Sequence, residues 1–233
     1  MKLAVCIPHS FPYCVTAWQN RIRDELLYPP VDIPKFRDFR PTEFLETTSI
    51  PVETARNELV TRAFYRGASH VLFVDDDIWP PVETLKYSAV LRLLGHDKDI
   101  VGGMCKYRTT ERKFVIFPQE LQDGAGLVEV DETGCGFLLI KMEVFVKIAG
   151  QFDFGDVEFF RWAGSTRAPN GEDSSFCRLA KKHGFSIWID RDIKCGHHDT
   201  VIFDDSKQGF SQIRRGYKEG KPVEKITISK HRS

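Results

Sequence analysis

The feature that most restricts the fold lies in residues 51–79, where a helix-period segment feeds directly into a short apolar run. Val52, Ala55, Leu59, Val60, Ala63 and Phe64 fall on one helical face, with Ser49 as a cap and Gly67 as a stop. Residues 70–74 (HVLFV) read as a buried strand. That run passes into Asp75, Asp76 and Asp77 and is halted by Trp79, Pro80 and Pro81. Neighbouring carboxylates repel, and burying one is costly unless a counter-charge meets it. Something positive must therefore sit opposite this turn, and a metal ion is the candidate.

The same alternation recurs along the chain and predicts helices covering a mainly parallel sheet, an α/β architecture. Residues 2–7 read as the first strand, and 11–46, interrupted by prolines 29, 30, 34 and 41, as loop with a short helix. Pro80 and Pro81 open a second helix with Val82, Leu85, Ala89 and Leu93 inward and Gly95 at its end. "DIVGGM", "GLVEV" and "GFLLI" read as strands, and "KMEVFVKIAG" as a short helix closed by Gly150. Residues 159–170 suit a mobile loop over a site. Residues 172–183 form a helix with Phe176, Leu179 and Ala180 inward, followed by strands "FSIWI" and "IKC".

A chain of 233 residues suits one substantial core. Lysine plus arginine equals aspartate plus glutamate at 33 each, which excludes a global field directed at nucleic acid or membrane. No transmembrane segment or secretory leader is read from the sequence, and six cysteines lack any C-x-x-C pair, so reduced thiols and a cytoplasmic location are expected. Residues 207–233 carry eight lysines and arginines against two glutamates, a basic extension.

Three acidic or imidazole-bearing stretches can carry chemistry. Asp75 and Asp77 at a strand end should point the same way if strand geometry persists, and hard oxygen ligands suit Mg2+ or Mn2+ bound together with phosphates. The alternative is an acidic turn in which Asp76 or Asp77 caps the helix at Pro80. In "NGEDSSF" the helix dipole keeps Glu172 and Asp173 ionised and able to accept a proton; such residues also stabilise helices with no further role. In "IKCGHHD", His197 stands beside a glycine at a strand end, where imidazole suits manganese; a surface polar histidine is the other reading.

Taken in order, "ARNELVTRAFYRGASHVLFVDDDI", "TGCGFLLIKMEVF", "GEDSSFCRLAKKHGFSIWID" and "CGH" resemble the landmarks of GT-A fold glycosyltransferases, especially inverting enzymes similar to family two. The likeness covers roughly residues 51–198, with "AVCIP" fitting the opening strand. It implies a Rossmann-like GT-A domain over residues 1–200 and an extension over 201–233 that packs on the donor site or stays solvated. By the same resemblance Asp75 would lie near the donor ribose and the metal, with Asp76 in support, and Asp77 and His197 would hold Mn2+ or Mg2+. Arg56 and Asn57 would seat the nucleotide, Pro8 and His9 would meet the base, and Asp173 would serve as general base with Glu172 orienting the acceptor or sharing that role. The implied partners are a nucleotide-sugar donor, UDP- or GDP-linked, and an acceptor hydroxyl on a glycan, protein, lipid-linked sugar or modified DNA.

Departures from the pattern leave some choices open. The stretch after the second strand reads "LETTSIP", where family members commonly carry an acidic residue that reads the base, so the nucleobase is not fixed. "QIRRG" supplies Gln212 and Arg215 but glycine in place of the tryptophan of processive synthases, and Arg214, Arg215 or Lys218 could instead fold back on the diphosphate. Retaining transfer, a magnesium-dependent phosphohydrolase and a non-catalytic sugar-nucleotide-binding module are the competing readings.

Overall fold

The computed structural model describes residues 1–9, 43–47, 51–79, 88–106, 114–165, 168–197, 201–203, 210–218 and 221–228, of which 164–165, 168–170 and everything beyond 197 are described by backbone alone. The chain divides into two compact units, Met1–His197 and His198–Ser233.

The first unit opens with strands β1 (Leu3–Pro8) and β2 (Glu43–Thr47), helix α1 (Val52–Tyr65), and strands β3 (His70–Val74) and β4 (Ile78–Trp79). Helix α2 (Ala89–Gly95) leads to β5 (Ile100–Cys105), then to the short strands β6 (Ile116–Phe117), β7 (Leu127–Val130) and β8 (Glu132–Thr133). Strand β9 (Phe137–Lys141) runs into α3 (Met142–Ala149); a hairpin of β10 (Ala163–Ser165) and β11 (Ala168–Asn170) precedes α4 (Glu172–Lys182) and β12 (Ile187–His197).

The central sheet has the order β2-β1-β3-β9-β5-β12-β4, with β7 also paired to β12. Strands β2, β1 and β3 run parallel, as do β5 and β12, and β9 is inserted antiparallel between the two groups. Both faces are covered, which is why the inner strands read as unbroken apolar runs. Leu3, Val5, Ile7, Leu72 and Val74 pack with α2 on one face; Ala4, Cys6, Val71 and Phe73 pack with α1, α3 and α4 on the other.

Helix α1 buries Ala55, Leu59, Val60 and Ala63 on the expected face and stops where Gly67 takes a φ of 69°. It starts after Pro51 with no side-chain cap, and Ser49 lies outside the described residues. The second helix differs from expectation. Ser88 is non-helical (ψ 133°) and its Oγ accepts from the Leu91 N–H, so α2 begins afresh there and does not continue a helix from Pro80. Residues 80–87 lie outside the described set. "FSIWI" and "IKC" merge into the single strand β12, with a register shift between Asp190 and Lys194.

Residues 43–46, expected within a loop bearing a short helix, form with Thr47 an edge strand of the sheet. Phe159 and Phe160, expected in a mobile loop, are buried against Phe145, Phe154 and Phe176. Aromatic burial outweighed the polar and glycine content of that stretch. The second unit is a three-stranded antiparallel sheet of β13 (Val201–Phe203), β14 (Phe210–Lys218) and β15 (Lys221–Ile228). Arg214, Arg215 and Lys218 stand on β14, and their side chains lie outside the described residues.

Candidate active site

The acidic turn does not preserve strand alternation. The ladder ends as the Asp75 N–H donates to the Gly136 carbonyl at 3.0 Å, and the Ile78 N–H then closes a turn onto the Asp75 carbonyl at 3.0 Å. The three carboxylates consequently fan out to three partners. Asp75 accepts from Arg56 Nη2 through both oxygens (3.0 and 3.2 Å), Asp76 Oδ2 lies 3.5 Å from His9 Nδ1, and Asp77 Oδ1 lies 3.9 Å from His197 Nε2. The common direction expected of Asp75 and Asp77 depended on strand geometry continuing through them, and a turn carries them instead.

Pairing explains the last contact. β4 runs antiparallel to the end of β12, with Ile78 opposite His197 and Trp79 opposite Gly196, which brings Asp77 beside the imidazole. β1 and β2 do the same for His9: Pro8 is in register with Thr47, the His9 N–H donates to the Thr47 carbonyl at 2.9 Å, and Glu46 Oε2 stands 3.6 Å from His9 Nε2.

Arg56 is the hub. Only 2% exposed, it faces Asp75, Glu172 Oε1 (3.8 Å from Nη1) and Asp173 Oδ1 (3.8 Å from Nη2), with its guanidinium carbon 5.7 Å from the Phe73 ring centroid. Burial alone would weaken its hold on a proton, but the surrounding carboxylates reverse this and its pKa lies well above the ordinary arginine value. Burial raises the Asp75 pKa, with Arg56 opposing. Burial and the neighbouring Asp173 push Glu172 up to about 7, again against Arg56. One guanidinium facing three carboxylates leaves excess negative charge, which a proton or a cation can neutralise.

Glu172 and Asp173 occupy the first turn of α4, as the sequence indicates. Asp173 Oδ1 is buried without a hydrogen-bond partner among the described residues. Beside it, the buried Cys135 thiol is pushed well above its usual pKa by burial and by the Asp173 charge. A Cβ on Gly134 would stand in ordinary contact with Asp173 Oδ2 at 3.6 Å and tightly against Val115 at 3.1 Å.

Asn57 is placed differently from its neighbour Arg56. Its Nδ2 donates to the Phe160 carbonyl at 2.7 Å and its Oδ1 accepts the Phe160 N–H at 3.0 Å, pinning the segment ahead of the hairpin. Sequence reading missed Cys135 and Glu46. Glu46 was legible in "LETT" once residues 43–47 are seen as a strand, whereas nothing in the local pattern marks Cys135.

No protein-family model and no curated protein matches the chain. Solved structures do. A197 from STIV aligns over 100% of this chain and 99% of its own, at 17% identity and a TM-score of 0.50. GalNAc-T7, crystallised with UDP, GalNAc and Mn2+, aligns over 85% of this chain at 12% identity and a TM-score of 0.50, and only 44% of the GalNAc-T7 chain is covered. The fold is of the GT-A type. Strands β1, β2 and β3 supply one parallel group of the sheet, and the acidic edge described above lies where those strands end, the usual ligand edge of an open α/β sheet.

Proposed function

We propose that the chain is a divalent-cation-dependent glycosyltransferase that moves a sugar from a nucleoside-diphosphate donor to an acceptor hydroxyl with inversion. The observation that supports this best is the convergence of residues from four separate elements on one edge: Arg56, the turn 75–77, Glu172 with Asp173, and His197.

Asp77 and His197 fit a metal. Asp77 Oδ1 and His197 Nε2 lie 3.9 Å apart, and a carboxylate with an imidazole suits manganese and tolerates magnesium. Among the described residues no group of three or more His, Cys, Asp or Glu side chains is arranged to hold a metal. Two protein donors are what a cation needs when phosphate oxygens and water complete its shell. When bound, it would supply Lewis-acid stabilisation of the leaving diphosphate.

The chain's own residues account for the remainder. His9 and Glu46, at the ends of β1 and β2, would meet the base, a uracil or guanine offering N–H groups to the Glu46 carboxylate. Arg56 holds Asp75 fixed beside the donor, and Asp173, whose Oδ1 has no hydrogen-bond partner among the described residues, takes the proton of the attacking hydroxyl. Glu172, close to neutral in its titration, orients that hydroxyl or shares the proton.

Thermal unfolding with UDP, GDP and their sugar conjugates, with and without Mn2+, tests the proposal. A ligand that binds only the folded chain raises Tm by mass action. A cation-dependent rise lost in Asp77→Ala is the expected result; a rise unchanged by chelator, or none across the panel, would count against it. The anomeric configuration of product then separates inversion from retention.

A further inference from the structure

The first turns of α1 hold more than Arg56. Because α1 follows β2, it begins at the edge where β1, β2 and β3 end, so Glu53, Arg56 and Asn57 all stand on the acidic side of the sheet. Asn57 grips the backbone of Phe160, and the Phe160 ring sits 5.3 Å from Phe73 and 4.7 Å from Phe176. Phe73 lies two residues before Asp75, and Phe176 one helical turn after Asp173. The 160 segment is therefore anchored directly beneath the carboxylates.

Two residues on, Trp162 turns outward and is 56% exposed. Its indole Nε1–H donates to Glu53 Oε2 at 3.1 Å, one turn of α1 before Arg56. A hydrogen bond between exposed partners contributes little to stability in water, yet it fixes the orientation of a large ring. Leaving an indole face in water gives up much of the burial such a side chain normally contributes. The Glu53 carboxylate therefore borders the ring, and Arg161, the residue before it in the chain, is exposed as well.

We propose that Trp162 is the platform of an acceptor subsite that takes a carbohydrate, the apolar C–H face of a pyranose stacking on the indole while Glu53 and Arg161 meet its hydroxyls. This rests on the transferase reading for its place in the reaction, and it narrows the acceptor to a glycan. A pyranose is apolar on its faces and polar around its rim, which matches an aromatic face bordered by charges. Pinning by Asn57 and Glu53 means the platform is formed before the sugar arrives, so less ordering entropy opposes binding.

The test uses the full chain labelled with 5-fluorotryptophan. It contains four tryptophans, and Trp162→Phe assigns the resonance at issue. Methyl glycosides of glucose, galactose, mannose, N-acetylglucosamine and N-acetylgalactosamine are titrated in one arm, and UDP or GDP with MnCl2 in another; glycerol and a leucine-rich peptide serve as controls. The expected result is a saturable shift of the Trp162 resonance with at least one glycoside and none with the controls. If the nucleotide with Mn2+ moves Trp79, adjacent to the acidic turn, while every glycoside leaves Trp162 fixed, the donor reading stands and this proposal falls. If glycosides shift Trp162 but no nucleotide binds, the sugar subsite stands and the transferase reading falls. An equal shift with the peptide or glycerol also overturns it.

Discussion

Replacing Arg56 by methionine keeps most of the buried volume but removes the one positive charge that, among the described residues, faces Asp75, Glu172 and Asp173 together. Breaking a buried ion pair by deleting one partner costs about 3–5 kcal/mol, because the remaining charges stay desolvated. In a domain of this size that corresponds to a Tm lowered by roughly 6–20 °C. The deficit should depend on pH in a definite sense. Asp75 and Glu172 already have pKa values above those of free carboxyls, and Arg56 is what opposes the rise. Without it their folded-state values climb further, so the variant's native state binds more protons than its unfolded state. Its stability then increases as pH falls, and the gap to wild type, measured by urea unfolding in chelator at pH 8 and pH 5, narrows on the acid side. Arg56→Lys, which keeps the charge but loses the forked geometry, should fall between the two. An equal deficit at both pH values would refute the electrostatic account and leave only lost packing.

Further outcomes follow from the same geometry. Glu172, raised from 4.5 to about 7, makes the cation-free protein more stable in acid and less stable as pH rises through 7, an effect of about 3 kcal/mol that Glu172→Gln should flatten in a pH series of unfolding curves. Asn57→Ala removes both hydrogen bonds to the Phe160 backbone, and denaturant unfolding should show a loss of about 2 kcal/mol. Asp190, 0% exposed, is pushed up by burial but pulled lower overall by hydrogen bonds from His96, Arg92 and the Asp192 N–H, so its contribution holds above the ordinary carboxylate range and is lost as pH falls below it. Asp190→Asn should therefore cost about 2 kcal/mol at pH 7 and much less at pH 2, read from urea midpoints. Gly102→Ala would place a Cβ 2.8 Å from the Phe137 carbonyl oxygen, and a loss of about 2 kcal/mol or more is expected in thermal unfolding.

The central strands and α1, α3 and α4 were legible because both faces of the sheet are covered, which leaves apolar runs and clean helical stripes in the sequence. β2 was not, since an edge strand of five residues with one face partly exposed leaves no run long enough to read. The aromatic pair Phe159–Phe160 misled in the other direction: its neighbours are polar, and only packing against Phe73, Phe145 and Phe176 shows it as core.

The sequence by itself determined which residues carry charge at strand and helix ends, because burial periodicity and helix-end preferences are written locally. Which charge meets which was decided only by tertiary structure. The turn at Asp75–Ile78 and the pairing of β4 with the end of β12 divide three consecutive carboxylates among Arg56, His9 and His197. These partners lie 19, 67 and 120 positions away along the chain, and Coulomb attraction acts on distance in space, which no local pattern encodes.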